Sequence, residues 1–221
     1  MGLEIFLIFN GMKSMDRLKW EESYLKVRRN LKQREKRIKM FVLDKNSCIL
    51  ELGCGDGLNL KILQTLGYKN IYGLDNSKEL LSYISGIQTI LADACNTGLP
   101  SDYFDVVFID SLLHHLHTLE ECLKEIRRIL KPGGNLCVME PRPSLIRKIF
   151  DLVTLSPLSN LSPFLKNRNI SLKEEYDVYV HWLKTEHKLA SYLDKYGFKI
   201  VFWKKGLIGM FVKCRLIKEH Y

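Results

Sequence analysis

The chain has 221 residues, 46% of them hydrophobic and 27% charged, with 14 Gly, 6 Pro and a net charge of +9. This composition excludes a collagen-like or intrinsically disordered chain and suits one domain with an extension or lid. The longest apolar stretch near the start, residues 5–9, is far short of a membrane span, and no basic segment precedes it as in a signal peptide. We therefore expect a soluble, cytoplasmic protein.

Six scattered cysteines, Cys48, Cys54, Cys95, Cys122, Cys137 and Cys214, lack any C-x-x-C pair, so reduced thiols and no metal site are expected. The His114, His115, His117 group likewise lacks zinc-site spacing. Charge is unevenly placed. Residues 1–46 carry 12 Lys+Arg against 6 Asp+Glu, residues 47–140 carry 7 against 12, and residues 141–221 carry 15 against 7. Basic flanks surround an acidic centre, which suits solvated helix faces, an anionic membrane surface or RNA.

In chain order, residues 1–46 form an N-terminal helical extension. Met12 and Met15 are alternative starts. Tyr24, Val27, Leu31, Ile38 and Phe41 make a helical apolar stripe within residues 15–42, broken by Arg34, and the other face is basic. Residues 47–140 alternate strand and helix patterns, the mark of a mainly parallel α/β sheet. The run Cys48 to Leu52 ends in Gly53-Cys54-Gly55-Asp56-Gly57, and Leu58, Ile62, Leu63 and Leu66 then recur at helical spacing up to Gly67. A second strand ends at Asp75. Ser77 caps a helix reaching Ser85, and residues 88–91 make a third strand. Residues 105–109 form a buried strand, 119–130 an amphipathic helix, and Lys131-Pro132-Gly133-Gly134 a turn into a fifth strand at 136–139. Residues 141–184, with Pro141, Pro143, Pro157 and Pro163 among apolar residues, read as a helical lid or acceptor insertion. Residues 185–221 give a helix stopped by Gly197 and two strands, 198–203 and 210–217, at an antiparallel sheet edge.

The glycine turn lets backbone approach a ligand closely. Leu58 stands where a G-x-G-x-x-G dinucleotide fingerprint needs its third glycine, and no G-x-x-x-x-G-K-[ST] phosphate loop occurs. The segment Glu51-Leu52-Gly53-Cys54-Gly55-Asp56-Gly57 resembles the E/D-x-G-x-G-x-G signature of class I S-adenosylmethionine-dependent methyltransferases, in particular the type 11-like domain. Asp75 at the end of the second strand, Ala92-Asp93-Ala94, the strand from Phe104 to Asp110 with Ser111-Leu112-Leu113-His114-His115-Leu116, and Leu130-Lys131-Pro132-Gly133-Gly134 extend the likeness over about residues 47–140.

The resemblance implies a Rossmann-like, doubly wound, mainly parallel seven-stranded sheet with an antiparallel edge strand, N-terminal helices and a helical lid. It implies methyl transfer from S-adenosylmethionine, leaving S-adenosylhomocysteine, without a metal. By the family pattern Glu51 lies near the methionine moiety, with Gly53, Cys54 and Gly55 lining its amino-acid end and Cys54 packing as a small apolar group. Asp75 meets the ribose hydroxyls or caps the next helix, and Asn76 lies beside the ribose. Asp93 and Ala94 border the adenine, and Asp110 places backbone near the methionyl amino group. Tyr24 closes over the donor or packs structurally. His115, His114 and Glu140 are candidate bases for an acidic acceptor, or pocket walls.

In-line displacement at a sulfonium depends mostly on positioning and water exclusion, with effects of about 7 to 11 kcal/mol from orientation alone. Residues 145–165 are apolar enough to wall a hydrophobic acceptor pocket or, with Arg142, Arg147 and Lys148, to touch an anionic membrane. A small-molecule or lipid-like acceptor is the first expectation. Asp110-Ser111-Leu112-Leu113 differs from the D/N-P-P-Y/F of amino methyltransferases acting on nucleic-acid bases, so RNA or protein methylation ranks second and DNA is not expected. A non-catalytic binding module of the same fold is the third reading.

Overall fold

The computed structural model describes residues 14–26, 31–116 and 118–217. The apolar stretch at 5–9, Met12, Val27 and His117, all named above, lie outside them. The described strands are β1 (Ile49–Leu52), β2 (Ile71–Asp75), β3 (Gln88–Leu91), β4 (Phe104–Asp110), β5 (Leu130–Pro141), β6 (Phe198–Lys205) and β7 (Gly209–Leu216). The helices are α1 (Ser14–Lys26), α2 (Leu31–Lys39), α3 (Leu58–Thr65), α4 (Lys78–Leu81), α5 (Glu120–Ile129), α6 (Leu145–Leu155), α7 (Pro163–Glu174), α8 (Tyr176–Thr185) and α9 (Leu189–Lys195).

One seven-stranded sheet runs in the order β3-β2-β1-β4-β5-β7-β6. β1 to β5 pair in parallel, whereas β7 runs antiparallel to both β5 and β6. The Rossmann-like architecture expected from the sequence is thus present. Alternation along β4 explains why it is buried on both faces. Val107 and Ile109 pack with Leu123, Ile126 and Ile129 of α5 and Trp182 of α8, while Val106 and Phe108 pack with Ile38, Phe41, Ile62 and Leu63. Chain order reverses between β1 and β4, so the crevice outside their carboxyl ends is where an open α/β sheet takes a ligand.

Three local expectations need correction. The helix after Ser77 spans only Lys78–Leu81, although Ser77 Oγ does cap it by accepting the Leu80 N–H. The turn at Lys131–Gly134 lies within β5. Phe104 pairs with Leu130 and Val106 with Asn135, so the intervening residues bulge from the ladder with Gly133 at φ 75°. The single stripe over residues 15–42 divides between α1 and α2. Ile38 and Phe41 are buried, but Leu31 is exposed, and Arg34 is turned inward because acceptors await it.

Within residues 141–184, α6, a 3-10 turn at Pro157–Leu161, α7 and α8 follow one another, and α1 packs on α7. Ser144 caps α6 by accepting the Arg147 N–H. Among the described residues no helix is long and apolar enough to cross a membrane.

Candidate active site

β1 is buried along its whole length and ends in a turn that places Gly55 at φ 53°. That conformation favours glycine, and a Cβ at this position would collide with the Tyr24 hydroxyl. The Gly55 N–H donates to Asp75 Oδ2 at 2.8 Å, and Asp75 Oδ1 accepts the Ser77 N–H at 2.9 Å. Asp75 therefore shapes the turn and starts α4. Gly53 packs on Leu112, whose Cδ1 would stand 2.9 Å from an added Cβ.

Beneath this turn lies a network that the sequence reading missed in part. Asn59 Nδ2 donates to Glu51 Oε1 at 2.7 Å and to Asp110 Oδ2 at 3.0 Å. Asn59 Oδ1 accepts from Arg34 Nη1 at 2.9 Å, and Arg34 also forms a salt bridge with Asp110. Glu51 is buried, and burial pushes its pKa well up, against the Asn59 hydrogen bond. Its second oxygen, Oε2, is buried with no hydrogen-bond partner. An unmet buried acceptor is costly unless a ligand supplies a donor. The signals for the missed residues were present: Arg34 interrupts an apolar helical stripe, and Asn59 is a polar residue among inward Leu60, Ile62 and Leu63.

Ser111, directly after β4, has φ 64°, a strained value for serine, and is held by its N–H to Met139 O at 2.8 Å. The next residues are fixed by Glu140. Its Oε1 accepts the Leu112 and Leu113 N–H groups at 2.8 and 2.6 Å, and its Oε2 lies 2.7 Å from His114 Nδ1. Burial raises the Glu140 pKa to about 8 and pushes that of His114 well down. Burial thus disfavours the charged form of both partners, and one hydrogen bond joins them. His115 differs. Burial opposes its charge, yet Glu175, whose Oε1 lies 2.8 Å from Nδ1, together with Glu140 makes the net shift upward.

Aromatic groups join these parts. Trp20 stacks on Tyr24 with ring centroids 5.3 Å apart and meets His115 edge-on at 6.1 Å. His114 and His115 lie 4.0 Å apart, and Tyr179 meets His114 edge-on at 5.9 Å. Tyr179 in turn donates to Asp151 Oδ2 at 2.7 Å, and Arg168 donates to Asp151 Oδ1 at 3.0 Å.

Of the sequence-predicted residues, Glu51, Gly53, Gly55, Asp75, Asp110 and Tyr24 come together at the carboxyl ends of β1, β2 and β4. His114, His115 and Glu140 adjoin them through Leu112 and Trp20. Cys54 is buried, and burial pushes its thiol pKa far up, which leaves it inert at neutral pH. Asn76 is exposed just beyond β2. Asp93 and Ala94 follow β3, one strand further out, where Asp93 Oδ1 accepts the Cys95 N–H at 2.6 Å. All six cysteines are free. Among the described residues no group of three or more His, Cys, Asp or Glu is arranged to hold a metal.

One expectation about residues 145–165 is corrected. Leu145, Ile146, Ile149 and Leu152 do not wall an acceptor pocket; they face outward, and the inward face of α6 carries Arg147, Asp151 and Thr154.

Comparison with known proteins agrees with this geometry. Residues 50–138 match the family profile described as a methyltransferase domain. The chain is 30% identical over 146 residues to a demethylmenaquinone methyltransferase of Geobacillus sp. (strain WCH70), covering 61% of each chain. It is 27% identical over 183 residues to a demethylmenaquinone methyltransferase of Staphylococcus epidermidis, covering 77% of this chain and 72% of that protein. The match therefore spans less than two thirds of the first relative's length. A solved SAM-dependent methyltransferase from Aquifex aeolicus superposes with TM-score 0.61 at 18% identity over 83% of this chain and 89% of that one, a likeness of fold. Over residues 50–138 the chain is thus similar to the methyltransferase-domain family.

Proposed function

We propose that the protein transfers a methyl group from S-adenosylmethionine to a small, lipid-like acceptor. The observation that carries this reading is the buried, unpartnered Glu51 Oε2 beside the Arg34–Asp110 salt bridge. Together they present acceptors and a cation to a zwitterionic amino acid. Glu51 and Asp110 suit its ammonium, Arg34 its carboxylate, and the Asp75 carboxylate a ribose diol. Asn76 would stand beside that ribose, and Asp93 and Ala94 would border the adenine. Gly53 and Gly55 admit the backbone close to the donor, with Cys54 as packing beneath.

When bound, S-adenosylmethionine supplies an electrophilic methyl on a positively charged sulfur. The chain's own part is positioning and water exclusion. Tyr24 and Trp20 close the recess with aromatic faces, which attract cationic groups. In this reading residues 47–140 hold the donor, residues 1–46 and 141–184 cover the acceptor, and residues 185–221 complete the sheet. His115, beside Glu175 and with its pKa raised, suits an acceptor oxygen that carries negative charge. His114 and Glu140 would take or return the proton that an acidic acceptor loses or regains, and Glu140 holds the 111–115 loop in place. The quinone-directed names of the relatives favour an apolar acceptor bearing such an oxygen.

Titration calorimetry with S-adenosylmethionine and S-adenosylhomocysteine should give micromolar-range heats, and a flat trace from both would end the proposal. Incubation with methyl-labelled donor and fractionated extract should place label in the lipid or small-molecule fraction. Label in RNA or protein would transfer the assignment to the basic flanks.

A further inference from the structure

Helix α6 is amphipathic in the reverse of the usual sense. Leu145, Ile149 and Leu152 recur at helical spacing and are 73%, 52% and 69% exposed, with Ile146 beside them. The opposite face carries Arg147 and Thr154, only 7% and 0% exposed, and Asp151. These polar residues have partners inside: Arg147 donates to Ile208 O at 2.6 Å, and Asp151 accepts from Tyr179 and Arg168.

The apolar surface continues beyond the helix. Leu161 in the following turn is 82% exposed and Leu207 72%. The 206–208 loop is clamped to the start of α6 by Arg142 donating to Gly206 O and Ser144 to Leu207 O. Arg142, Leu145, Ile146, Lys205 and Leu207 line one concave surface there. A contiguous apolar ridge of this kind marks a binding face. Its charge is one-sided. Residues 141–173 contain Arg142, Arg147, Lys148, Lys166, Arg168 and Lys173 but only one acid, Asp151, which is paired inside. Lys148 on α6 and Lys205 beside Leu207 are exposed at the ridge, and Lys166 is exposed on α7.

We propose that the outward face of α6, with Leu161 and Leu207, docks on the surface of an anionic phospholipid bilayer, the aliphatic side chains entering the headgroup boundary and the lysines meeting lipid phosphates. Aliphatic residues flanked by lysines suit that environment, whereas a protein partner or RNA would not require both features together. The inference stands apart from the methyl-transfer reading, because docking needs neither donor nor acceptor. It adds a location: the inner face of the same helix reaches the candidate site through Asp151, Tyr179 and His114.

Sedimentation of the full chain with vesicles of phosphatidylcholine, with and without phosphatidylglycerol, tests this. Binding is expected to the anionic vesicles. The Ile149→Ser/Leu152→Ser/Leu161→Ser variant should lose about tenfold or more in partitioning, with unchanged circular dichroism and unchanged S-adenosylmethionine binding. Lys148→Glu/Lys205→Glu should lose the preference for phosphatidylglycerol. The proposal is overturned if the parent ignores both vesicle types, if the serine variant partitions as the parent does, or if that variant instead splits a dimer that shows no vesicle binding. Loss of donor binding in the parent would count against methyl transfer and leave the docking result readable.

Discussion

Asp75 Oδ2 accepts the Gly55 N–H at 2.8 Å, so the acid that ends β2 also holds the turn that follows β1. Asp75→Ala should therefore weaken S-adenosylmethionine binding through both the lost diol contact and a loosened turn. Hydrogen bonds to a charged acceptor contribute roughly 1.5 to 3 kcal/mol, which corresponds to about 10- to 150-fold in affinity by calorimetry. Unchanged affinity would remove Asp75 from the site.

Gly55 sits at φ 53° under the Tyr24 hydroxyl. Gly55→Ala should cost about 1 to 3 kcal/mol of stability in urea unfolding and reduce donor affinity. Adding Tyr24→Phe should recover part of the loss, because the collision is with the hydroxyl, while the backbone strain persists. A strictly additive double mutant would show that the two residues do not meet.

Arg34 is assigned to the donor's carboxylate. Arg34→Met should lower affinity for S-adenosylmethionine about tenfold or more while leaving binding of methylthioadenosine, which lacks the amino-acid end, within about twofold. Equal losses for both ligands would instead mean that Arg34 only supports Asp110 and Asn59.

His115 carries a raised pKa because Glu175 together with Glu140 outweighs burial. A histidine raised above its unfolded value contributes stability fully below about pH 6.5, and that contribution fades as pH rises through the folded-state value. Glu175→Gln should lower the His115 pKa in NMR titration. The stability gap between parent and variant should be largest below about pH 6.5 and shrink above it. A gap that widens with rising pH would contradict the ion pair.

Glu125 on α5 accepts from the Thr97 N–H and hydroxyl and from Arg128, the last lowering its pKa most, to about 2. These bonds anchor the loop that carries Asp93 and Ala94. The stability they contribute is present above pH 4.5 and lost as pH falls towards 2. Glu125→Gln should destabilise the protein by about 1 to 3 kcal/mol at neutral pH, with the difference closing in acid. Urea denaturation across that range decides it.

Much of the fold was legible because its signals are local. The glycine cluster after a four-residue apolar strand, the acid ending the next strand and the helix-stopping Gly67 and Gly197 all report backbone conformation at their own positions. The bulge at Lys131–Gly134 and the short α4 were misjudged because strand register and helix length are set by neighbouring elements as much as by local propensity. Within the site, Glu51, Asp75 and Asp110 stood out as acids at strand ends. Arg34, Asn59, Trp20 and Glu175 did not, since each acts through a partner 25 or more residues away.

Residue order alone therefore established the α/β alternation, the glycine-lined turn and the acidic strand ends, because periodicity and positive-φ positions need no distant partner. Only packing in three dimensions decided that Arg34 turns inward, that His114 and His115 take opposite pKa shifts, and that α6 hides its polar face and shows its leucines. A side chain's direction and charge follow from which groups surround it, and those groups come from separate stretches of the chain.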